Sequence, residues 1–395
     1  MRIVFILITA FTLLPSIATA QERLASERLN NDANSNESLS NGSLSRESLA
    51  TGESDAQPER EIAHETFASR HFRVLSLDVI ARDLYSDNAA HVVTDREIQY
   101  KVSMGLQLNF DGQGNTYLGT RTETGNSFGN SWDNTGQGLG TAQTNLEVKA
   151  FFLGQKVGRR FEFQLGGIEF DQGSGSQATY AAGEAYLTGY RLRIVPPTAN
   201  WMPDTVSFTG GQVSDFTSAN VFSRLHRLGD LNYVQVMMQK KIGDRDTASL
   251  EGDSIGGIGY LRGAVRVNQL RHVGFDDFML EAIGRVSDGP EWAWSARAGK
   301  DFDPAKRWRA EAIYVAMPLA VFASSRGPVL QNWGEFGIGQ RIGANLSYRV
   351  SRDFSVSFLG SRRTDDTPNT YRWRGFVAAR YDFAPLAGQA LRHLK

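Results

Sequence analysis

Residues 97–110 read EIQYKVSMGLQLNF. In this stretch Ile98, Tyr100, Val102, Met104, Leu106, Leu108 and Phe110 alternate without a break with Glu97, Gln99, Lys101, Ser103, Gly105, Gln107 and Asn109. Side chains two apart share one face of a strand, so the segment has one apolar and one polar side. Strands of a soluble sandwich usually run about five or six residues. A tilted strand that crosses a bilayer needs about nine to eleven, and this one is long enough with margin.

The same period returns along the chain. It appears in Leu146-Val148-Ala150-Phe152, Trp308-Ala310-Ala312-Tyr314 and Ile342-Ala344-Leu346-Tyr348-Val350. Two later runs are Phe354-Val356-Phe358 and Tyr371-Trp373-Gly375-Val377-Ala379-Tyr381-Phe383. Trp292, Trp308, Tyr348, Tyr371 and Tyr381 fall near strand ends, where amphipathic rings form the girdles of a lipid-embedded barrel. Short and long connections alternate. Tight junctions are expected at 111–114, 155–159, 243–246, 302–306 and Ser351-Arg352. Between them lie Gly-, Ser- and Asn-rich stretches at 125–141, 214–229, 319–340 and 361–370. These features predict an all-β chain: a closed antiparallel transmembrane β-barrel of about sixteen strands, within a range of about twelve to eighteen. The segments 205–213 and 247–254 are the weakest strands in that tracing.

Composition agrees. The 395 residues include 40 glycines and no cysteine, with 41 % hydrophobic and 22 % charged residues and a net charge of −1. Beyond residue 20 no run of eighteen apolar residues offers a transmembrane helix. An exported chain without disulfides must be held by hydrogen bonding and packing, which a closed barrel supplies.

The first twenty residues read as an export signal. Arg2 precedes an apolar core from Ile3 to Leu14, and Ala18-Thr19-Ala20 forms an A-x-A site that places cleavage between Ala20 and Gln21. Residues 21–65 contain no aromatic residue and carry ten acidic side chains against four arginines. A five-residue period runs through Glu22-Arg23-Leu24, Glu27-Arg28-Leu29, Glu37-Ser38-Leu39, Gly42-Ser43-Leu44 and Glu47-Ser48-Leu49. The expectation is a disordered acidic periplasmic spacer. A short helical or oligomerising segment is the alternative, and a β-helix would need more coils than fit. The barrel then spans 66–383, followed by a short tail at 384–395.

Over 66–383 the architecture resembles Gram-negative outer-membrane porins. The resemblance rests on periodicity and carries no diagnostic motif. Tyr381-Asp382-Phe383 looks like the aromatic strand ending that the outer-membrane insertion machinery reads, although this chain continues through Ala384 to Lys395. The resemblance implies residence in outer-membrane lipid and passage of small polar solutes, and leaves homotrimer and monomer both open. A substrate-specific channel or exporter for sugars or organic anions, or a non-conducting structural barrel or adhesin, uses the same alternation.

If the apolar sides meet lipid, the alternate positions line the lumen. They include Arg191, Arg193, Arg262, Arg266, Glu281, Arg285, Arg297, Arg309, Glu311, Arg349, Arg372, Arg374 and Arg380. An arginine on the lipid face at mid-membrane costs about 2–4 kcal/mol, so these belong inside or at the rims. Residues 66–395 carry roughly +4, and a mildly basic lumen favours anionic solutes. Glu147, Glu184, Glu281, Glu311 and Asp382 are acidic partners in phase. Loops 125–141 and 214–229 are long enough to fold inward and narrow the pore.

No catalytic or cofactor constellation stands out, and nothing points to nucleic acid. The histidines 64, 71, 91, 226, 272 and 393 sit in no nucleophile or metal motif; His226 in Leu225-His226-Arg227 is the one worth testing. Gly337-Ile338-Gly339 with Gly343 has the wrong spacing for a dinucleotide loop. Segments 133–138 and 171–176 carry oxygen ligands of the kind calcium takes, but read as ordinary turns.

Overall fold

The computed structural model describes residues 70–393 apart from 127–129, 172, 174–185, 198–201, 214–219, 244–245, 269, 271–273, 288–290, 319–320, 322–337 and 366–370. The expected export signal and acidic spacer lie outside the described residues.

Seventeen strands form one sheet. They are β1 (Phe72–Asp87), β2 (Val93–Asn109), β3 (Thr116–Glu123), β4 (Asp133–Gly138), β5 (Glu147–Val157) and β6 (Phe161–Glu169). β7 (Tyr186–Ile194), β8 (Thr205–Gln212), β9 (Tyr233–Ile242), β10 (Asp246–Ile255), β11 (Ile258–Val267) and β12 (Asp277–Arg285) follow. The ring continues with β13 (Glu291–Asp301), β14 (Trp308–Met317), β15 (Gly339–Arg349), β16 (Phe354–Arg363) and β17 (Trp373–Asp382). Neighbours pair antiparallel, and β1 pairs with both β2 and β17, so the sheet closes into a barrel of sixteen strands. Both of the weakest expected strands are present, as β8 and β10.

The seventeenth strand is the short β4, which falls within the expected loop 125–141. β3 ends with Glu123 opposite Ser103, but β2 runs on for several residues beyond it. β4 fills that vacant edge, pairing Tyr100 with Asp133 and Gln99 with Asn134. Its sequence, DNTGQG, has no apolar alternation, because backbone pairing and polar side-chain bonds such as Thr135 to Ile98 O hold it.

The closed ring separates two ends. Strand ends joined by 110–115, 158–160, 195–204, 243–245, 268–276, 302–307 and 350–353 lie at one, with both described chain ends; those joined by 88–92, 124–146, 170–185, 213–232, 256–257, 286–290, 318–338 and 364–372 lie at the other. Every connection longer than ten residues joins strands at the second end, the asymmetry of a membrane barrel, although the two-residue turn 256–257 and the ten-residue connection 195–204 break the strict alternation that the sequence predicts.

Register carries one face around the whole ring. The outward phase presents exposed Leu153, Phe163, Phe208, Val236, Leu280, Ile342, Phe358 and Val377. Near the turn end Trp308 stacks on Tyr348 with centroids 4.4 Å apart, and Tyr381 on Phe383 at 4.3 Å. Inward positions are packed by complementary size: the Tyr117 ring crosses Gly154, where a Cβ would come within 2.1 Å of it.

The tail forms a helix, α1 (Ala384–His393), which packs on β1. The Asp382 carboxylate accepts from the Ala384 amide at 2.9 Å and so caps its first turn. The Phe383 amide donates to Leu77 O, extending the β1–β17 seam by one bond before the helix begins.

Candidate functional site: the inner wall of the barrel

Pairing puts the arginines singled out in the sequence on a single phase of the ring. Arg191 lies opposite Thr209, Arg193 opposite Ser207, and Arg262 opposite Glu251. Arg266 and Arg297 both flank Met279, and Arg285 lies opposite Glu291. Arg309 faces Asp301 and Ser347; Glu311 faces Asn345; Arg349 faces Ser355. Arg374 and Arg380 stand opposite Ser86 and Ile80 across the seam, and Arg372 precedes them in the same phase. Arg191, Arg262, Glu281, Arg297, Arg309 and Glu311 are buried; Arg193, Arg266, Arg285, Arg349, Arg372, Arg374 and Arg380 are half-buried. With a hydrophobic phase outside, this buried charged phase is the concave side.

Ion pairs organise the charges. Toward the turn end, Arg309 donates to Asp277 and Glu311 at 2.9 Å each and approaches Asp301 at 3.4 Å, while Asn345 donates to Glu311 at 3.1 Å. Arg380 holds Asp78 at 2.5 Å across the seam, and Arg262 pairs with Glu251 at mid-wall. Toward the loop end, Arg372 meets Asp87 at 2.5 Å and Arg374 meets Asp95 at 3.6 Å. A buried guanidinium is tolerated when a carboxylate and further hydrogen bonds satisfy it.

The most enclosed node is Glu123 at the end of β3. Its carboxylate accepts from Arg121 at 2.6 Å, Ser103 at 3.0 Å, Ser131 at 2.6 Å and Tyr186 at 2.9 Å. Lys149, the bulge residue of β5, donates to Asn130 O at 2.6 Å and to Ser131 at 3.1 Å. Gly125, at φ +87°, turns the chain here; a Cβ on it would lie 2.0 Å from Asn130 O. The turn brings Trp132 inside, with the Arg82 guanidinium 3.7 Å from its ring centroid.

A second inward segment, residues 169–171 and 173, overlaps the stretch expected as a turn at 171–176. β6 leaves β5 after Gly167 but stays paired with β7 as far as Glu169. The bend is at Gly166, φ +136°, where a Cβ would sit 2.4 Å from Phe151 O. Beyond it Glu169 reaches Arg121 on β3 at 3.3 Å, and Phe170 packs edge-on against Tyr233 of β9 at 4.9 Å. Asp171 lies between Arg191 at 3.6 Å and Arg193 at 3.2 Å. Its carbonyl accepts from Gln235 at 3.1 Å, and Gly173 abuts Ser249 of β10. Residues 169–171 and 173 therefore run along the inside of β7 to β10. Of the two loops expected to fold inward, 125–141 contributes Ser131 and Trp132. Residues 220–227 of the 214–229 loop lie across the wall above β6 instead. Two adjacent glycines in a strand, Gly166-Gly167, were the available signal for the bend.

The remaining sequence candidates resolve into structural roles. Asp133 accepts from the Asn145 backbone amide at 2.5 Å and its side chain at 2.8 Å, so segment 133–138 is a tied-down strand. His226 lies in a single 3-10 turn, Leu225–Arg227. Glu184 lies outside the described residues. Among the described residues, no group of three or more His, Asp or Glu could hold a metal ion.

No family model and no curated protein matches the sequence. Solved structures do match the fold. OmpF of Salmonella typhi, determined in complex with daunomycin, aligns with a TM-score of 0.51 and 11 % identity, over 81 % of this chain and 100 % of that one. Two mutant porins of Rh. blastica align with TM-scores of 0.48 and 0.49, at 11 % and 9 % identity, over 79 % of this chain and all of theirs. The molecule is a closed, antiparallel β-barrel with a charged interior. Its fold is porin-like.

Proposed function

We propose that the protein resides in the outer membrane and is a porin: a passive diffusion channel for small polar solutes that prefers anions. The observation that carries this reading is the closed sixteen-strand ring, apolar outside and arginine-rich inside. Barrels of sixteen to eighteen strands leave room for water along the axis, whereas eight-stranded ones are filled by their own side chains. Charges facing one another across a lumen set its selectivity. The arginines named above, with Glu281 and Glu311, are the residues proposed to line the path. The outward apolar phase supports residence in lipid, and entry there through the barrel insertion machinery; assembly as a homotrimer is part of the same proposal.

One observation favours a second reading, a filled and non-conducting barrel. Toward the loop end the inner phase carries Leu84, Ile255, Ile283, Val315, Leu359 and Phe376, all buried in one apolar cluster that includes Val321. Reconstitution into planar bilayers decides between them. The channel reading expects discrete unit currents and, across a salt gradient, a reversal potential of anion-selective sign. A cation-selective potential sinks the anion preference, and absence of unit current from folded protein sinks conduction.

A further inference from the structure

The inward turn of β6 opens a gap in the wall. β5 continues past Phe151 to Ala150 and Lys149, but the last residue of β6 that pairs with it is Gly167, opposite Phe151. One edge of β5 is left without its β6 partner, while β6 stays with β7 through Glu169, opposite Tyr186. Backbone carbonyls in such a gap need donors.

Arg224, from the connection between β8 and β9, supplies them. Its guanidinium is 2 % exposed and donates to Lys149 O on β5 and to Tyr186 O on β7, at 3.1 Å each. The fork of a guanidinium spans two acceptors that one ammonium cannot hold in fixed geometry. Neighbouring residues seat it. Val221, fully buried, lies where a Cβ on Gly167 would be, 1.9 Å from the valine Cγ2. Phe222 packs on Phe151 with centroids 5.2 Å apart, and Asn220 donates to Glu147 at 3.0 Å.

We propose that Arg224 is a positioning residue for the inward-turned segment: it ties β5 to the start of β7 across the gap that β6 leaves and thereby keeps residues 169–171 and 173 inside the barrel. It acts through β7, which carries Arg191 and Arg193, the partners of Asp171, and through β5, which pairs with the β3 strand that carries Arg121, the partner of Glu169; Gly167 is small because Val221 must lie against it.

The chain has no cysteine, so a single engineered pair reports the position of the segment. Gly173→Cys with Ser249→Cys suits this, because the two residues abut: a Cβ on Gly173 would lie 2.4 Å from that of Ser249, and a shift of about 1–2 Å brings the pair to disulfide spacing. Oxidative cross-linking of the full-length, folded barrel in detergent is the measurement, with the heat-modified gel shift as the check on folding. In the Arg224→Gln background the cross-linking rate is expected to fall about tenfold with the gel shift retained, from losing a charged donor to two carbonyls. Arg224→Lys is expected to lie between. Gly167→Ala, which displaces Val221 without touching Arg224, is expected to reproduce the loss. An unchanged rate in folded Arg224→Gln overturns the proposal. So does a loss matched by an equal drop in barrel melting temperature, which would make Arg224 a general structural residue.

The functional consequence rests on the channel reading: the Arg224→Gln unit current should be larger or noisier than that of the parent. If the parent shows no unit current, the channel reading fails and the cross-linking result still decides the role of Arg224.

Discussion

From β10 to β17 every strand meets its neighbour in unbroken register, whereas shifts interrupt β1–β2, β2–β4 and β3–β5. The regular half is a plain wall: alternating residues outside, ion pairs such as Arg309–Asp277 inside. The irregular half holds the added strand β4, the Lys149 bulge, the inward Trp132 and the inward bend of β6. The difference teaches where each property is encoded. Closing a barrel requires only period two and matched strand lengths. Shaping its interior requires that the period be broken, and each break leaves backbone groups that some side chain must satisfy. Lys149 and Arg224 do so here, and Glu123 holds together the side chains around Lys149.

The strongest way to break the comparison is to remove such a side chain. Glu123→Ala leaves Arg121 and Lys149 buried, with Glu169 as the remaining carboxylate on Arg121. Loss of one partner from a buried ionic cluster costs about 3–5 kcal/mol. Urea unfolding of the protein in vesicles should register most of that loss, and Glu123→Gln, which keeps one acceptor oxygen and offers the Ser131 and Tyr186 hydroxyls an amide donor in place of the other, should lose less. If Glu123→Ala unfolds like the parent, the node does not hold the irregular half together.

A smaller effect is expected in the regular half, and on the opposite face. Ala312 sits outward on β14, exposed and flanked by buried Glu311 and Ile313. Ala312→Arg places a charge in the apolar band and should cost about 2–4 kcal/mol in vesicles, but much less in detergent micelles, where water reaches the head group. Equal cost in both media would mean that this face does not meet lipid.

Legibility followed alternation, not the half of the ring: β2 in the irregular half reads most clearly, and β10 in the regular half is among the weakest strands of the tracing. Alternation in residues 97–110, 308–314 and 342–350 located β2, β14 and β15, and the parity of loop lengths placed both chain ends together. Pairing then aligned the arginines on one face, because a period of two leaves only two faces to choose from. What sequence reading missed is concentrated where alternation stops. β4 has no hydrophobic pattern to find, since its stability comes from the vacant edge of β2. Residues 171–176 read as a turn, because the partners of Asp171 and Gly173 (Arg191, Arg193, Gln235 and Ser249) lie on strands that only closure of the ring brings near. Arg224 was visible as a loop arginine; its two carbonyl acceptors were not, because they exist only once β6 has bent away.

The finest test concerns a turn of the regular wall. Between β13 and β14 the Asp303 carboxylate accepts from the Arg307 amide at 2.6 Å and the Trp308 amide at 3.1 Å, closing a connection that needs no buried partner. Desolvation pushes its pKa up, but the hydrogen bonds from Trp308 and Arg307 outweigh this and hold it below the ordinary carboxylate value. A carboxyl depressed in the folded state stabilises the turn fully above its unfolded pKa of about 3.9 and loses that contribution as pH falls through the lower folded value. Hydrogen exchange at the Arg307 and Trp308 amides, corrected for intrinsic rates, should therefore keep its protection down to about pH 4 and lose it below. In Asp303→Ala the protection should be weaker throughout and lack that step, while the Arg309–Asp277 pairing strands stay protected. A step that persists without Asp303 would assign it to another carboxylate. One that spread to the strands would mean the regular wall leans on its turns, contrary to the contrast with the irregular half.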